Sequence, residues 1–219
     1  MKEYCFTAHS VVVALVRETI ARPASFWISH FSDDLPVVPA CRQCNASFSA
    51  DEQYLACLVA CVLAGSTDPR TIARSSIKRT LEHSAPLQAR IENARTVDGG
   101  KIVFRAEQER VNSVITKLAQ GHALHELHEP RPTEPDVVWA VPLALLSEPD
   151  LFSFERPEGP SVWPEVGSRA MQRLIVDQEP DLPWVVVQPG MYRYLASPHC
   201  GTTVHIVIQE YLAGYAHWD

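Results

Sequence analysis

The chain reads as an α+β protein: a small zinc-bound module, then helices, then a C-terminal antiparallel sheet. Three observations predict this. The stretch from Leu35 to Tyr54 (LPVVPACRQCNASFSADEQY) holds Cys41 and Cys44 in a Pro-x-Cys-x-x-Cys-Asn knuckle that runs into a helix start. Apolar residues recur at helical spacing in 55–63 and again in 111–118. Near the C-terminus, Val204, Ile206 and Ile208 alternate with other residues, as in a strand of a sheet with one buried face.

The knuckle poses the first chemical question. Two thiolates three residues apart can grip one Zn²⁺ from a tight turn, but a structural site takes four ligands. Cys5 and His9, spaced Cys-x-x-x-His, are the candidates for the other two positions and would complete a Cys₃His site. The alternative leaves them as an ordinary thiol and histidine near the N-terminus.

Composition bounds the rest. The chain has 219 residues and is 46% hydrophobic, enough to bury a core. Net charge is −7, so the chain as a whole does not announce a nucleic-acid binder. The charge is uneven, however: Arg70 to Lys117 holds ten Lys/Arg against five Asp/Glu. That basic segment suits either a phosphate-facing surface or a solvated helical face. Six cysteines in a chain of this length do not make a secreted disulfide framework, and Cys-x-x-Cys favours metal or redox use in a reducing compartment. No signal peptide and no apolar run of membrane-spanning length is recognised, so a soluble, cytoplasmic protein with no membrane partner is expected.

The elements follow in order. Val11 to Ala21 suits a short helix or strand. Ser49-Ala-Asp-Glu52 forms a capping box, with Asp51 and Glu52 in the first helical turn, where acidic groups suit the dipole. Leu55, Leu58, Val59, Val62 and Leu63 continue that helix to Gly65; Cys57 and Cys61, one turn apart, read as core packing rather than a second metal pair. Asp68-Pro69 opens a second helix decorated by Arg70, Arg74, Lys78 and Arg79. A third follows Pro86 and stops before Asp98-Gly-Gly100, and KIVFR (101–105) suits a strand. From Glu107 to about Leu127 an amphipathic helix presents Val111, Val114, Ile115 and Leu118 on one face. It ends in GHALHELHEP, where His122, His125 and His128 at three-residue intervals raise a metal hypothesis that the Pro130 break and the drift of the third histidine weaken. After a Pro-rich linker, VVWAVPLALL (137–146) suits a strand or helix, and 163–176 contains a turn. Residues 184–196 and 202–218 read as two antiparallel strands, with His199-Cys200 in the loop between them. The organisation expected is a module over 1–65, a basic helical segment over 66–128 and an α+β unit over 129–219.

At Pro39 to Asn45, followed by Phe48, Asp51, Glu52 and Tyr54, the sequence resembles a bacterial family of HNH endonuclease-like proteins with a treble-clef zinc module. In that family a first Cys-x-x-Cys knuckle precedes an Asp-His-x-Pro-Pro motif, the second Cys-x-x-Cys-Asn knuckle and a helix. GSTDP (65–69), GHALHEL, WPEVGSR (163–169), YRYLA and EYLAGYAHW also resemble its C-terminal part, so the likeness covers roughly residues 33 to 219. It implies a treble-clef, ββα-metal-like fold at the N-terminus, with Asn45 as the orienting asparagine. Asp51 and Glu52 match family positions and either hold a metal or cap the helix. The implied zinc ligands are Cys41 and Cys44 with Cys5 and His9, and the implied phosphate-facing residues are Arg70, Arg74, Lys78 and Arg79.

The decisive piece is missing. No Asp-His or Glu-His pair occurs in residues 1 to 40, so the family's general-base histidine has no match. Read one nucleotide earlier, the codons for Glu18 to Ile28 permit Gly or Arg, then Asp, His, a variable residue and Pro-Pro-Arg-Lys-Phe-Leu-Asp; Trp27 forces the leucine and Ile28 the aspartate. The codons for Cys5 to Ala8 likewise permit a Cys-x-Tyr-Cys knuckle. A divergent or doubly frameshifted segment over roughly residues 7 to 31 accounts for both. In an intact member the resemblance implies that a histidine activates water, while Mg²⁺ or Mn²⁺ stabilises the leaving oxygen and Zn²⁺ is structural. Here it implies DNA as partner with little or no cleavage. The rivals are a non-catalytic zinc-stabilised module binding nucleic acid or protein, and a Cys-x-x-Cys redox protein, which the lack of a βαβ start disfavours.

Overall fold

The computed structural model describes residues 12–14, 37–39, 49–176 and 182–219. It is α+β, with helices followed by a C-terminal antiparallel sheet. Strands β1 (Val12–Ala14) and β2 (Val37–Pro39) pair antiparallel, Val13 opposite Val38. Helix α1 (Ser49–Ala64) follows. It stops in a Schellman turn: the Gly65 N–H donates to Val62 O and the Ser66 N–H to Cys61 O, with Gly65 at φ +62°.

The expected helix at Asp68-Pro69 is only a 3₁₀ turn, Pro69–Thr71. Asp68 closes it by accepting the Arg70 N–H at 2.9 Å, and Ile72 then goes extended and buries its side chain. The α-helical path restarts in α2 (Ser75–His83), and α3 (Ala85–Ala94) has Pro86 in its first turn. A β-hairpin follows, β3 (Arg95–Asp98) and β4 (Lys101–Phe104), of which only the second is legible from the sequence. Its Gly99-Gly100 turn has both φ positive, as a two-residue hairpin loop requires.

Helix α4 (Gln108–His122) is the spine of the fold. Val111, Val114 and Ile115 are buried, as their spacing predicts, and Leu118 is 7% exposed. Its last turn, Ala123–Leu127, widens to a π-helix and ends on His128 in the left-handed region at φ 59°. β2 lies against this π-turn.

The sheet has the order β5-β9-β8-β7-β6, all neighbours antiparallel. Its strands are β5 (Val137–Pro142), β6 (Val185–Gln188), β7 (Tyr192–Ser197), β8 (Thr202–Ile208) and β9 (Leu212–Trp218). Each of the two long strands expected from the sequence is thus a hairpin. One turns at Pro189-Gly190; the other turns at Gln209-Glu210, both at positive φ without a glycine or asparagine to signal it. The expected single buried face is also corrected, since all seven residues of β8 are buried. One face, with Val204, Ile206, Ile208 and Ala216, joins the core that includes α1 and α4. The other carries Trp139, Val207 and Ala213 and is covered by Phe154 of α5 (Glu148–Glu155). Helix α6 (Arg169–Val176) follows the turn at Gly167, with the Met171 N–H donating to Ser168 Oγ.

Candidate functional site

Cys5, His9, Cys41, Cys44 and Asn45 lie outside the described residues. What is described is the helix they lead into and the ground beneath its first turn. Asp51 is taken by Arg110, whose guanidinium donates to Asp51 Oδ1 and, through Nε at 2.8 Å, to Glu107 Oε2. The Glu107 N–H donates to the Tyr54 hydroxyl at 2.9 Å. The start of α1 is therefore clamped to the start of α4.

Glu52 faces inward at 7% exposure, and burial pushes its carboxyl up to about 8. At neutral pH it is mostly protonated, a poor state for holding a divalent cation. Both acidic positions of the first turn are thus used by the protein's own packing, and the geometry favours their structural reading over metal holding.

Next to this turn lies a buried polar cluster built by the π-turn, α6 and β7. The π-turn directs Glu126 inward, at 1% exposure. Its Oε1 accepts from the Tyr194 hydroxyl at 2.5 Å, and its Oε2 accepts from Arg173. His125 Nε2 stands 3.8 Å from the same carboxyl. His122 stacks on Tyr194 with ring centroids 3.6 Å apart, and its Nε2 shares a 2.6 Å hydrogen bond with the Tyr192 hydroxyl. Burial holds His122 well below the ordinary imidazole range and Tyr192 well above the ordinary phenol range. Both are neutral near pH 7, so the cluster is a packed hydrogen-bond network with one carboxyl answered by one guanidinium.

The other expected residues are not gathered with it. Arg70 folds back on Asp68, its Nη2 2.7 Å from Oδ2. Arg74 is half-buried beside Cys57, and burial lowers its guanidinium to about 10. Lys78 is half-buried and Arg79 exposed. Of the wider basic segment, Arg90, Arg95 and Arg110 also have acidic partners, Glu107, Glu92 and Asp51 with Glu107. Much of the segment's positive charge is consumed internally. Cys57 and Cys61 are both fully buried, as expected of core residues. His122, His125 and His128 make no metal-holding group, and among the described residues no cluster of three or more His, Cys, Asp or Glu does.

Sequence reasoning missed Glu126, Arg173, Tyr192 and Tyr194 as one cluster. Glu126 sits in the HALHELH run, but spacing on an ideal helix does not anticipate the π-turn that aims it inward. Among the described residues no helix is long and apolar enough to cross a membrane. Comparison with known protein families, curated proteins and solved structures finds no match.

Proposed function

We propose that this chain is an HNH-endonuclease-like protein whose own cleavage of DNA is weak or absent. The observation that carries the reading is the Pro39–Asn45 knuckle joined to α1, with an antiparallel strand pair before that helix: the order β1-β2-α1 accords with a ββα arrangement. The missing Asp-His pair accounts for the loss of activity, since removing a general base typically costs ~10²–10⁴-fold. Cys41 and Cys44, with Cys5 and His9, are the residues to hold a structural zinc, and Asn45 is the orienting asparagine. The gene's third codon bases decide whether a frameshifted Asp-His segment underlies the loss.

A second reading, a non-catalytic zinc-stabilised module that binds DNA or a protein, is supported by the engagement of Asp51 with Arg110 and the burial of Glu52. Zinc per chain with a thiol titration comes first. About one zinc per chain, lost in Cys41→Ser and Cys44→Ser, supports the module; no zinc with freely reactive Cys41 and Cys44 removes it. Plasmid nicking in Mg²⁺ or Mn²⁺ then separates the readings. Nicking above background that Asn45→Ala abolishes supports a surviving nuclease, and DNA retention without nicking supports the binding module.

A further inference from the structure

Three chain segments that no reading above uses converge on a cleft of about 450 Å³. His128, Glu129 and Arg131 come from the end of the π-turn, Ser161 from the loop after α5, and Cys200 from the β7–β8 loop. Cys200 is exposed, whereas the other described cysteines, Cys57 and Cys61, are fully buried.

The thiol's position is fixed by its surroundings. The Cys200 N–H donates to Ser161 Oγ at 2.8 Å, and the Ser161 N–H donates to Pro198 O at 3.2 Å. The next residue, Gly201, has φ +108°, and a Cβ there would stand 2.0 Å from the Trp218 carbonyl oxygen. The loop is therefore clamped between the 161 segment and β9. The Arg131 guanidinium donates to Glu129 Oε2 at 2.8 Å and to the hydroxyl of buried Thr202. The cleft thus holds a carboxylate and a guanidinium side by side, together with a thiol. That pair complements an α-amino acid head: ammonium toward Glu129, carboxylate toward Arg131.

We propose that this cleft is a thiol-exchange site for a small disulfide whose ends carry α-amino acid groups, with Cys200 as the nucleophile. The Cys200 thiolate sulfur attacks one disulfide sulfur. A bond forms from Cys200 to that sulfur, the original S–S bond breaks, and the other half leaves as a thiolate. Cys200 is oxidised to the mixed disulfide and the departing half is reduced; the proton released by Cys200 goes through solvent to the departing thiolate. The small disulfide is the sole oxidant.

The test treats the full chain with cystine, with cystamine (ammonium groups alone) and with hydroxyethyl disulfide (no charge). Adduct at Cys200 is followed by peptide mass mapping, and each rate is divided by that of an unfolded peptide spanning 196–204. Cystine is expected to be favoured over hydroxyethyl disulfide by about tenfold, with cystamine well behind cystine, and Arg131→Gln to remove most of that advantage. Equal normalised rates for the three reagents on the wild-type chain would overturn the proposal, however Arg131→Gln folds. So would adduct formation at other cysteines with Cys200 untouched, or an Arg131→Gln chain that keeps the cystine preference.

Discussion

Tyr194 donates a 2.5 Å hydrogen bond to Glu126, although 68 positions separate the two in the chain. Arg173 completes the carboxyl from a third element, so β7, the π-turn and α6 meet at one buried group. Removing one partner of such a group costs more than an average hydrogen bond is worth, because the remainder stays desolvated. Tyr194→Phe keeps the ring stacked on His122 and deletes only the hydroxyl. It is expected to lower stability by about 1–3 kcal/mol, read as a drop in the urea midpoint with unchanged slope. An unchanged midpoint would mean that the hydroxyl contributes nothing net.

Glu52 gives the fold a pH dependence of its own. Its carboxyl rises from an ordinary 4.5 to about 8 on folding, because burial penalises the charge. The folded state therefore binds this proton more tightly than the unfolded chain does. The group's contribution is fully present below about pH 4.5 and is lost as pH rises through about 8. Glu52→Gln, neutral throughout, should be more stable than the parent at pH 8 and should flatten the fall in urea midpoint between pH 5 and 8. A parent curve with the same slope as the variant's would contradict the buried carboxyl.

His205 works in the opposite direction. It lies on the α5-covered face of the sheet, 6% exposed, its Nδ1–H donating to Phe154 O at 3.2 Å. Burial lowers its imidazole from 6.5 to about 4. The unfolded chain takes up this proton first, so stability is complete above about pH 6.5 and falls as pH drops toward 4. His205→Gln should shrink the acid-side loss between those values while costing packing at pH 7. Chemical-shift titration of the imidazole checks the same point: a midpoint near 6.5 in the folded chain would refute it.

Much of the fold is legible in the sequence where one local signal decides the structure. Gly65 ends α1, Asp98-Gly-Gly100 makes a hairpin turn, and the spacing of Val111, Val114, Ile115 and Leu118 gives the inward face of α4. The misses fall where tertiary packing overrides local preference. Asp68-Pro69 carries a helix-start signal, yet Ile72 is drawn into the core and stops the helix after one turn. Gln209 and Glu210 take positive φ with no residue type that favours it, which hid the β8–β9 hairpin. The cluster around Glu126 was illegible for the same reason: a π-turn changes which way a side chain points without changing the sequence period. The paired acids of α1 were visible, but only Arg110, 59 positions away, shows what Asp51 does.

Gly214 tests the closest approach of helix and sheet. It lies in β9 opposite Ile206, and a Cβ there would stand 2.6 Å from Cδ1 of Ile115 on α4. Ile115 is fully buried, so its side chain has little room to retreat, and overpacking of this kind typically costs about 1–3 kcal/mol. Gly214→Ala is therefore expected to destabilise the chain by that amount, even though alanine suits a strand better than glycine. Ile115→Val removes the Cδ1 methyl and by itself should cost about 0.5–1.5 kcal/mol through the space it leaves. The two changes are in contact, so their effects should not add: the double variant should be more stable than the sum of the singles predicts by at least about 0.5 kcal/mol. Additive losses across that cycle would mean the alanine is accommodated by movement of β9 rather than resisted by Ile115, and the helix would not be seated on the strand at this point.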